Sequence, residues 1–281
     1  MQTIAVTGGA GKLGKYVVQE LIRQNYRVIS LDQKRAADLR CKQIIVDMND
    51  LGQVASALQD VDAVIHLAAI PSPTGFPIPL IFANNVMGSY NVLEAASMLR
   101  MKRVVMGSST SCYGFAWAAK PFSPQYLPID EAHPQLSQEG YGFSKTVGEL
   151  TAEMFHRRNG LNVVNLRFSL IAAPEEYEHM RKSIDNPVDG AKILWSYIDI
   201  RDAAKACVAS LHPKTDGAIA LNITGDDTFS SVDTLELLRE CCPDVTDLRS
   251  EFAGREPLFS NRLAKETLDW QPEHCWSDAL S

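Results

Sequence analysis

Two spacings of apolar residues alternate along roughly the first 170 positions of the chain. Short runs of β-branched and other apolar residues predict strands at residues 3–7, 27–31, 43–46, 63–66, 103–106 and 162–167. Amphipathic stretches between these runs predict helices at about 12–24, 51–58, 80–99 and 140–158. The pattern therefore predicts an α/β fold, in which helices cover both faces of a doubly wound parallel sheet.

The alternation ends after Phe168. Residues 174–191, called the flap from here on, are polar and charged, and they predict a helical or irregular cover rather than a core element. Beyond the flap the pattern predicts a strand at 195–200 and helices at 202–211, 232–241 and 262–268. We therefore expect a Rossmann-type domain over residues 1–170 that carries the catalytic residues. Residues 171–281 are expected to form a small substrate-binding lobe interleaved with the last strands of the sheet.

Composition and charge narrow the possible partners. A net charge of −7 disfavours nucleic acid and anionic membranes as partners. No apolar stretch reaches membrane-spanning length, and the chain opens into a strand rather than a leader sequence. The six cysteines form no C-x-x-C pair and no cluster with metal-ligand spacing. We therefore expect reduced thiols, no metal, no membrane partner and a cytoplasmic location.

A glycine-rich turn, G-x-x-G-x-x-G, directly follows the first predicted strand and opens a helix. Gly8 allows the tight turn, Gly11 lets a pyrophosphate approach the backbone, and Gly14 lets the helix pack closely on the sheet. The helix N-terminus presents free N–H groups to the phosphates. An ordinary strand–helix turn is the alternative interpretation, but the position at the first junction favours dinucleotide binding.

An acidic residue at the end of the second strand selects between the two common dinucleotides. Asp32 lies 18 residues beyond Gly14, near the separation expected for the carboxylate that binds an adenosine ribose. A carboxylate there repels the 2′-phosphate of NADP, whereas Lys34 and Arg35 are placed to attract it. The position of Asp32 favours NAD over NADP, although a turn residue or helix cap is an alternative role for it.

Tyr141 and Lys145 are four residues apart on a predicted helix, which places them on one face. An ammonium beside a phenol favours the phenolate, so the pair is suited to taking a proton from a substrate alcohol. Most Tyr-x-x-x-Lys pairs lie on a solvated helix surface. The serine-rich run 108–111 favours an active-site role for the pair instead, because this run follows a central strand at the edge where doubly wound sheets bind ligands.

With these elements the chain resembles, nearly end to end, the extended branch of the short-chain dehydrogenase/reductase superfamily, the NAD-dependent epimerase/dehydratase family. Residues 7–14 match the cofactor fingerprint, Ser109 occupies the position of the catalytic Ser/Thr, and Tyr141 and Lys145 complete the catalytic set. Further matches are Asp47-Met48 near the adenine, His66-Leu67-Ala68-Ala69 after strand four, Asn85-Val86-Met87-Gly88, and segments 197–202 and 268–272.

The resemblance implies an NAD-binding domain at 1–170 and a set of site residues. The implied catalytic residues are Ser109, Tyr141, Lys145 and Asn85. The implied cofactor-binding residues are Gly8, Gly11, Lys12, Leu13, Gly14, Asp32, Asp47, Met48, Leu67, Ala68 and Ala69, together with Asn85, Tyr141 and Lys145. The substrate-binding candidates are Ser109, Thr110, Ser111, Ser169, Arg181 and Arg255, and Lys182 is a further candidate. For Arg181, Lys182 and Arg255 the alternative is a position on the solvated surface.

Departures from the family pattern bear on the substrate. Dehydratases of the family carry acidic residues after the catalytic Ser/Thr, where this chain has Thr110 and Ser111, so elimination of water is not expected. Nucleotide-sugar epimerases carry an asparagine and an arginine for the substrate diphosphate where this chain has Leu170 and Trp195. Arg255 does resemble another family arginine that meets the diphosphate. The flap is also short, as in uronate dehydrogenases, which points to a free sugar, sugar acid or other small polar alcohol.

The resulting hypothesis is an NAD-dependent dehydrogenase or reductase that transfers hydride between the nicotinamide and a small polar alcohol/carbonyl pair. The alternative is a sugar or nucleotide-sugar epimerase that oxidises its substrate transiently with the same residues. A third possibility, a non-catalytic NAD sensor or scaffold, conflicts with the intact catalytic set. The family resemblance also implies a homodimer formed by the helix at 80–99 and the helix that carries Tyr141.

Overall fold

Seven parallel strands form the central sheet of the protein, which a computed structural model describes over residues 1–280. They are β1 (Thr3–Thr7), β2 (Arg27–Asp32), β3 (Lys42–Ile45), β4 (Ala63–His66), β5 (Arg103–Ser109), β6 (Asn162–Phe168) and β9 (Ala218–Ile223). Their spatial order is β3-β2-β1-β4-β5-β6-β9. A second, two-stranded parallel sheet pairs β7 (Leu170–Ala172) with β8 (Tyr197–Asp199). The predicted doubly wound α/β fold is confirmed.

Ten α-helices connect or follow these strands in the described part of the chain. They are α1 (Lys12–Arg23), α2 (Leu51–Ala57), α3 (Ile78–Met98), α4 (Gly140–Asn159), α5 (Tyr177–Ile184), α6 (Pro187–Ala191), α7 (Ile200–Ala209), α8 (Thr234–Cys241), α9 (Arg262–Leu268) and α10 (Trp276–Leu280). Short 3₁₀ turns lie at Thr110–Tyr113 and Pro174–Glu176. Within residues 1–280, no helix combines the length and the apolar character needed to cross a membrane.

Each face of the central sheet buries its own apolar layer. On one face, α1 packs beside α7, with Val17 and Leu21 of α1 among the fully buried side chains. On the other face, the strands pack against α2, α3 and α4, and Leu93 and Phe155 lie in that core. Because both faces are covered, the strands contain continuous apolar runs, such as the buried residues 63–65 of β4.

The order in which strands are added to the sheet changes sides between β1 and β4. From β1 the chain adds β2 and β3 on one side, and then crosses to β4, β5, β6 and β9 on the other. In sheets of this kind, ligands bind beyond the carboxyl ends of the strands at this switch point. The glycine-rich turn after β1 and the serine-rich run at the end of β5 both lie on that edge.

The largest difference from the predicted elements is β9, which the strand prediction did not include. It pairs with β6 in register from Val163–Ala218 to Phe168–Ile223, so a segment from the C-terminal part of the chain completes the main sheet. The apolar run at 218–223 was a usable signal for it.

The strand predicted at 195–200 is also shorter than expected. It ends at Asp199, whose side chain accepts a hydrogen bond from the backbone N–H of Arg201 at 2.9 Å and so begins α7 two residues earlier than predicted.

Candidate active site

A cavity of about 430 Å³ lies along the carboxyl edge of the sheet, between the main sheet and the end of the flap. Its volume is within the range of small-molecule sites. Thirteen of the residues predicted for the site line it: Gly8, Gly11, Lys12, Leu13, Gly14, Leu67, Ala69, Ser109, Thr110, Ser111, Tyr141, Lys145 and Ser169. The structure thus brings the glycine-rich turn and the Tyr–Lys pair together in one cavity.

The glycine-rich turn has the shape that a pyrophosphate requires. Gly8 has φ +68°, and a Cβ there would lie 2.7 Å from the backbone nitrogen of Ala68. A Cβ on Gly14 would lie 2.0 Å from the carbonyl oxygen of Gly8, so only glycine permits the close packing of α1. No side chain caps α1, and no acidic residue lies in its first turn. The N–H groups at the start of α1 are therefore free to face an anion.

Asp32 is held against this turn by hydrogen bonds to its carboxylate. Its Oδ2 accepts from the backbone N–H of Ala10 at 3.0 Å, and its Oδ1 accepts from the N–H of Lys34 at 3.3 Å. Each oxygen keeps a lone pair for a further donor. The carboxylate is oriented beside the glycine-rich turn, where the residues present fit the ribose of a dinucleotide.

Tyr141 reaches the end of β5 because α4 packs directly on the 3₁₀ turn that follows β5. Glu139 caps α4 by accepting hydrogen bonds from the N–H groups of Tyr141 and Gly142 at 2.5 and 2.6 Å. A Cβ on Gly142 would lie 2.4 Å from the carbonyl oxygen of Ser111, so this glycine permits the close approach. As a result, the Tyr141 side chain lines the same cavity as Ser109 at the end of β5.

The protonation states of the pair differ from the expectation drawn from the sequence. Burial raises the pKa of Tyr141 to about 12, while the Ser109 hydroxyl opposes this and the charge of Glu139 adds to it. Burial lowers the pKa of Lys145 to about 8, opposed by the charge of Glu149. The Lys145 ammonium lies 5.7 Å from the centre of the Tyr141 ring and donates to the carbonyl of Gly107 at 2.7 Å. The expected lowering of the tyrosine pKa by the lysine is therefore not found, and burial is the largest influence on the pKa of Tyr141.

Asn85 lies next to the cavity without lining it. Its buried amide accepts a hydrogen bond from the N–H of Ile70 at 2.8 Å and donates to the Ile70 carbonyl at 3.0 Å and to Ser144 Oγ at 3.3 Å. It therefore ties the segment after β4 to α4 beside Tyr141. This geometry gives Asn85 a positioning role instead of contact with the reacting atoms.

The remaining predicted residues of the cofactor set, Asp47, Met48 and Ala68, lie outside the cavity wall. Asp47 is exposed and accepts from the backbone N–H of Asn49 at 3.0 Å, and Met48 is buried with its carbonyl bound by Asn91 at 2.9 Å. The N–H of Ala68 donates to Thr7 at 3.2 Å.

Arg181 and Arg255, the predicted partners of an anionic substrate, do not reach the cavity. Arg181 lies on the outer surface of α5 and pairs with Glu178 at 3.1 Å. Arg255 lies 4.7 Å from the centre of the Trp276 ring and 3.4 Å from Asp227. The structure therefore gives both arginines contacts within the C-terminal lobe, and their assignment to substrate is not supported by the geometry.

Two residues that sequence reasoning did not single out line the cavity from the opposite side. Lys192 follows the flap directly, and Trp117 lies on the loop after the 3₁₀ turn. The Lys192 ammonium lies 5.6 Å from the centre of the Trp117 ring. The sequence shows a lysine next to the flap, but its spacing does not indicate whether the side chain faces the cavity or the solvent.

A buried ion pair supports the floor of the site. Glu149, one turn after Lys145 on α4, accepts hydrogen bonds from Arg167 of β6 at 2.7 Å and from Ser108 at 2.6 Å. Both charged side chains are less than a tenth exposed. Arg167 also donates to Tyr113 at 2.8 Å. The pair links α4 to the strands that end at the cavity. Over residues 1–280, the structure contains no group of three or more His, Cys, Asp or Glu side chains able to hold a metal ion.

Comparison with known proteins agrees with this architecture. Residues 4–223 match the family described as NAD dependent epimerase/dehydratase family. A putative UDP-glucose 4-epimerase of Methanocaldococcus jannaschii is 35% identical over 303 aligned positions, covering 96% of this chain and 93% of that protein. An L-arabinose 1-dehydrogenase (NAD(P)(+)) of Haloferax volcanii is 27% identical over 238 positions, covering 83% and 92%.

Among solved structures, a short-chain dehydrogenase/reductase superfamily protein of Agrobacterium tumefaciens with bound NAD has the same fold. It superposes with a TM-score of 0.76 at 22% identity, covering 99% of this chain and 95% of the other. The sheet order and the glycine-rich turn agree with the family match, which spans well over half of the sequence. The chain belongs to the NAD-dependent epimerase/dehydratase family.

Proposed function

We propose that the protein is an NAD-dependent dehydrogenase or reductase acting on a small polar alcohol/carbonyl pair. The observation that carries the proposal is the presence of Ser109, Tyr141 and Lys145 in the same cavity as the glycine-rich turn. A nucleotide site and a proton-transfer group that share one cavity are the two requirements for oxidising an alcohol with a nicotinamide cofactor.

The residues proposed to hold NAD are the glycine-rich turn, the N-terminus of α1 and Asp32. When bound, NAD supplies the acceptor for the hydride of an alcohol or the donor for a carbonyl. The backbone N–H groups of α1 face the diphosphate, and Asp32 accepts hydrogen bonds from the adenosine ribose. Lys12, whose ammonium contacts Glu176 at 2.5 Å and the Ile171 carbonyl at 2.9 Å, ties the glycine-rich turn to the segment that covers it.

Tyr141 is proposed to accept the hydroxyl proton of the substrate. Tyr141 and Ser109 both line the cavity, and one substrate oxygen can be held between their hydroxyls. Lys145 is held in place by the Gly107 carbonyl, with its ammonium 5.7 Å from the centre of the Tyr141 ring. In the reverse direction Tyr141 returns the proton to the carbonyl oxygen.

A small substrate is favoured by the walls of the cavity. Leu170 lines it, and Trp195 is fully buried, with its indole N–H donating to the Pro187 carbonyl at 2.7 Å beneath the flap. Neither residue can bind a diphosphate. The alignment with the putative UDP-glucose 4-epimerase is longer than this chain, so that protein has insertions that are absent here. The alignment with the L-arabinose 1-dehydrogenase spans 238 positions and is not longer than this chain.

A sugar epimerase is the second candidate, and one observation favours it. The relative with 35% identity is named as a putative UDP-glucose 4-epimerase. The same three side chains serve transient oxidation of a sugar, so the two functions differ only in whether the hydride returns to the same substrate molecule.

The test is an absorbance assay for reduced nicotinamide with a panel of free sugars, uronic acids, polyols and nucleotide sugars. Net NADH formation with a free sugar, sugar acid or polyol supports the dehydrogenase. If no NADH accumulates but chromatography detects interconversion of sugar epimers, the dehydrogenase proposal is rejected in favour of the epimerase. Absence of both reactions in protein that binds NAD rejects both candidates.

Replacing Asp32 by alanine is expected to shift cofactor preference from NAD towards NADP. The change removes a carboxylate that repels a 2′-phosphate and leaves Lys34 and Arg35 exposed nearby. We expect kcat/KM for NAD to fall by about tenfold or more, since a charge-assisted hydrogen bond is worth roughly 1.5–3 kcal/mol. Steady-state rates with each cofactor measure it, and Asp38→Ala, at an exposed position nearby, is the matched control. An unchanged NAD/NADP ratio would contradict the assignment.

A homodimer formed through α3 and α4 is proposed as the assembly. These neighbouring helices expose Leu80, Met87, Tyr90, Phe143 and Leu150, each more than a third accessible. Exposed apolar side chains concentrated on two packed helices are typical of a subunit interface. Sedimentation velocity at micromolar concentration is expected to give twice the mass of the 31.0 kDa chain, and a monomer would contradict the proposal.

A reducing compartment such as the cytoplasm is proposed for the protein. All six cysteines are free, including the fully buried Cys112 and Cys207. Free thiols are usual for proteins that are kept reduced.

A further inference from the structure

The charged residues that line the cavity are all of one sign. Among its described lining residues there are three lysines, Lys12, Lys145 and Lys192, and no aspartate or glutamate. The whole chain, in contrast, carries a net charge of −7. A positive cavity in an acidic protein attracts anions and raises their local concentration.

Two of the three lysines have partners on the protein. Lys12 pairs with Glu176 at the glycine-rich end of the cavity, and Lys145 donates to the Gly107 carbonyl next to Tyr141. Among the described residues, the side chain of Lys192 has no ion-pair or hydrogen-bond partner, while its backbone N–H donates to the Gly190 carbonyl. The ammonium of Lys192 lies over the face of Trp117, 5.6 Å from the ring centre. Its donors remain available to a ligand.

The backbone that follows Lys192 is fixed in an uncommon conformation. Leu194 and Trp195 both have positive φ, at 52° and 48°, which costs free energy in residues with a Cβ. Burial of the Trp195 ring against Gly190, together with its N–H bond to the Pro187 carbonyl, maintains this turn. The turn fixes the backbone directly after Lys192 and Ile193, which line the cavity.

We infer that Lys192 binds the anionic group of the substrate, and that this substrate is a sugar acid with a carboxylate. The inference rests on the proposed function and specifies its substrate class. The cavity wall that carries Tyr141 and Lys192 also carries the hydroxyls of Ser109, Thr110 and Ser111, which suit the hydroxyls of a sugar. One ammonium without an arginine matches a singly charged carboxylate better than a diphosphate, which needs more than one cation.

Three matched probes separate the possible ligands: glucose, glucuronate and glucose 6-phosphate, with the corresponding galactose series. They differ only in whether C6 carries a hydroxyl, a carboxylate or a phosphate. With the wild-type protein we expect kcat/KM to be highest for a uronate. In Lys192→Met we expect the KM for that uronate to rise about tenfold or more, and the preference for the uronate over the matching neutral sugar to be lost. Raising the ionic strength should increase the uronate KM of the wild type alone.

Lys120→Met is the matched control, because it removes the same charge from the loop that carries Trp117 without touching the cavity. Its uronate KM should stay at the wild-type value. Equal loss for neutral and acidic sugars in Lys192→Met would overturn the inference, as would a preference of the wild type for neutral sugars. A preference for the 6-phosphates would overturn the assignment of a carboxylate.

A binding measurement keeps failure of the inference distinct from failure of the proposed function. Calorimetric titration of glucuronate, galacturonate and the two neutral sugars into the Tyr141→Phe protein with NAD requires no turnover. Tighter binding of a uronate that is lost in Tyr141→Phe/Lys192→Met supports the inference even if the wild type oxidises none of the probes. Absence of any preference for the uronates in this titration overturns it, whatever the activity.

Discussion

Replacing Tyr141 by phenylalanine is expected to lower kcat/KM for alcohol oxidation by roughly 10²- to 10⁴-fold, the usual contribution of a positioned general base. The change removes only the hydroxyl that meets Ser109 and keeps the buried ring on α4. NAD affinity and folding should therefore be preserved. Initial rates of NADH formation measure the loss, and a fluorescence titration with NADH checks that the cofactor still binds.

The pH profile of the same variant provides an independent readout. Because the pKa of Tyr141 is raised to about 12, the hydroxyl is protonated at neutral pH, and its ionised fraction grows with every unit of pH below that value. Oxidation by the wild type should therefore accelerate as pH rises from about 7. The rise should weaken above about 8, where Lys145 loses the proton that gives it its charge. A wild-type rate independent of pH, or a variant with the wild-type profile, would contradict the assignment of Tyr141.

Replacing Glu149 by glutamine is expected to lower the free energy of unfolding by about 3–5 kcal/mol, the usual cost of leaving one buried charge unpaired. The substitution keeps the shape of the side chain but removes the counter-charge of Arg167, which is only 5% exposed. It also weakens the acceptor for Ser108 and for Gln135, which donates to Glu149 at 2.7 Å. Urea denaturation followed by circular dichroism measures the change.

Glu153→Gln is the matched control, one turn further along α4. Glu153 pairs with Arg157 at 3.4 Å, and both side chains are more than half exposed, so the expected change is within about 1 kcal/mol. The double variant Glu149→Leu/Arg167→Met should lose less stability than the sum of the single changes, because neither charge remains buried alone. If Glu149→Gln lowered the free energy of unfolding no more than Glu153→Gln does, the burial of Arg167 would not depend on its ion pair with Glu149.

Local patterns in the sequence carried enough information to predict the main sheet up to β6. Strands buried on both faces, such as residues 63–65 of β4, are continuous apolar runs, and helices follow β1, β3, β4 and β5. Strand β9 was not predicted, although its apolar residues 218–221 were a local signal. Its place beside β6, more than 50 residues away in sequence, is fixed by strand pairing and not by local periodicity.

The sequence by itself determined the glycine-rich turn, Asp32, and the Tyr141–Lys145 spacing. Each is a local feature, since a turn that excludes Cβ atoms and a helical i,i+4 pair need only neighbouring residues. The family resemblance added Ser109 at the end of β5, and the sheet brings it to Tyr141.

Only the tertiary structure decided which charges face the cavity and how they ionise. Arg181 was a candidate from its charge and Arg255 also from a family resemblance, yet they pair with Glu178 and Asp227 elsewhere, and Lys192 lines the cavity instead. The pKa of Tyr141 likewise depends on how much solvent the packed helices remove, and burial is the largest influence on it. Side-chain direction and burial are set by packing between segments distant in sequence, so no local pattern encodes them.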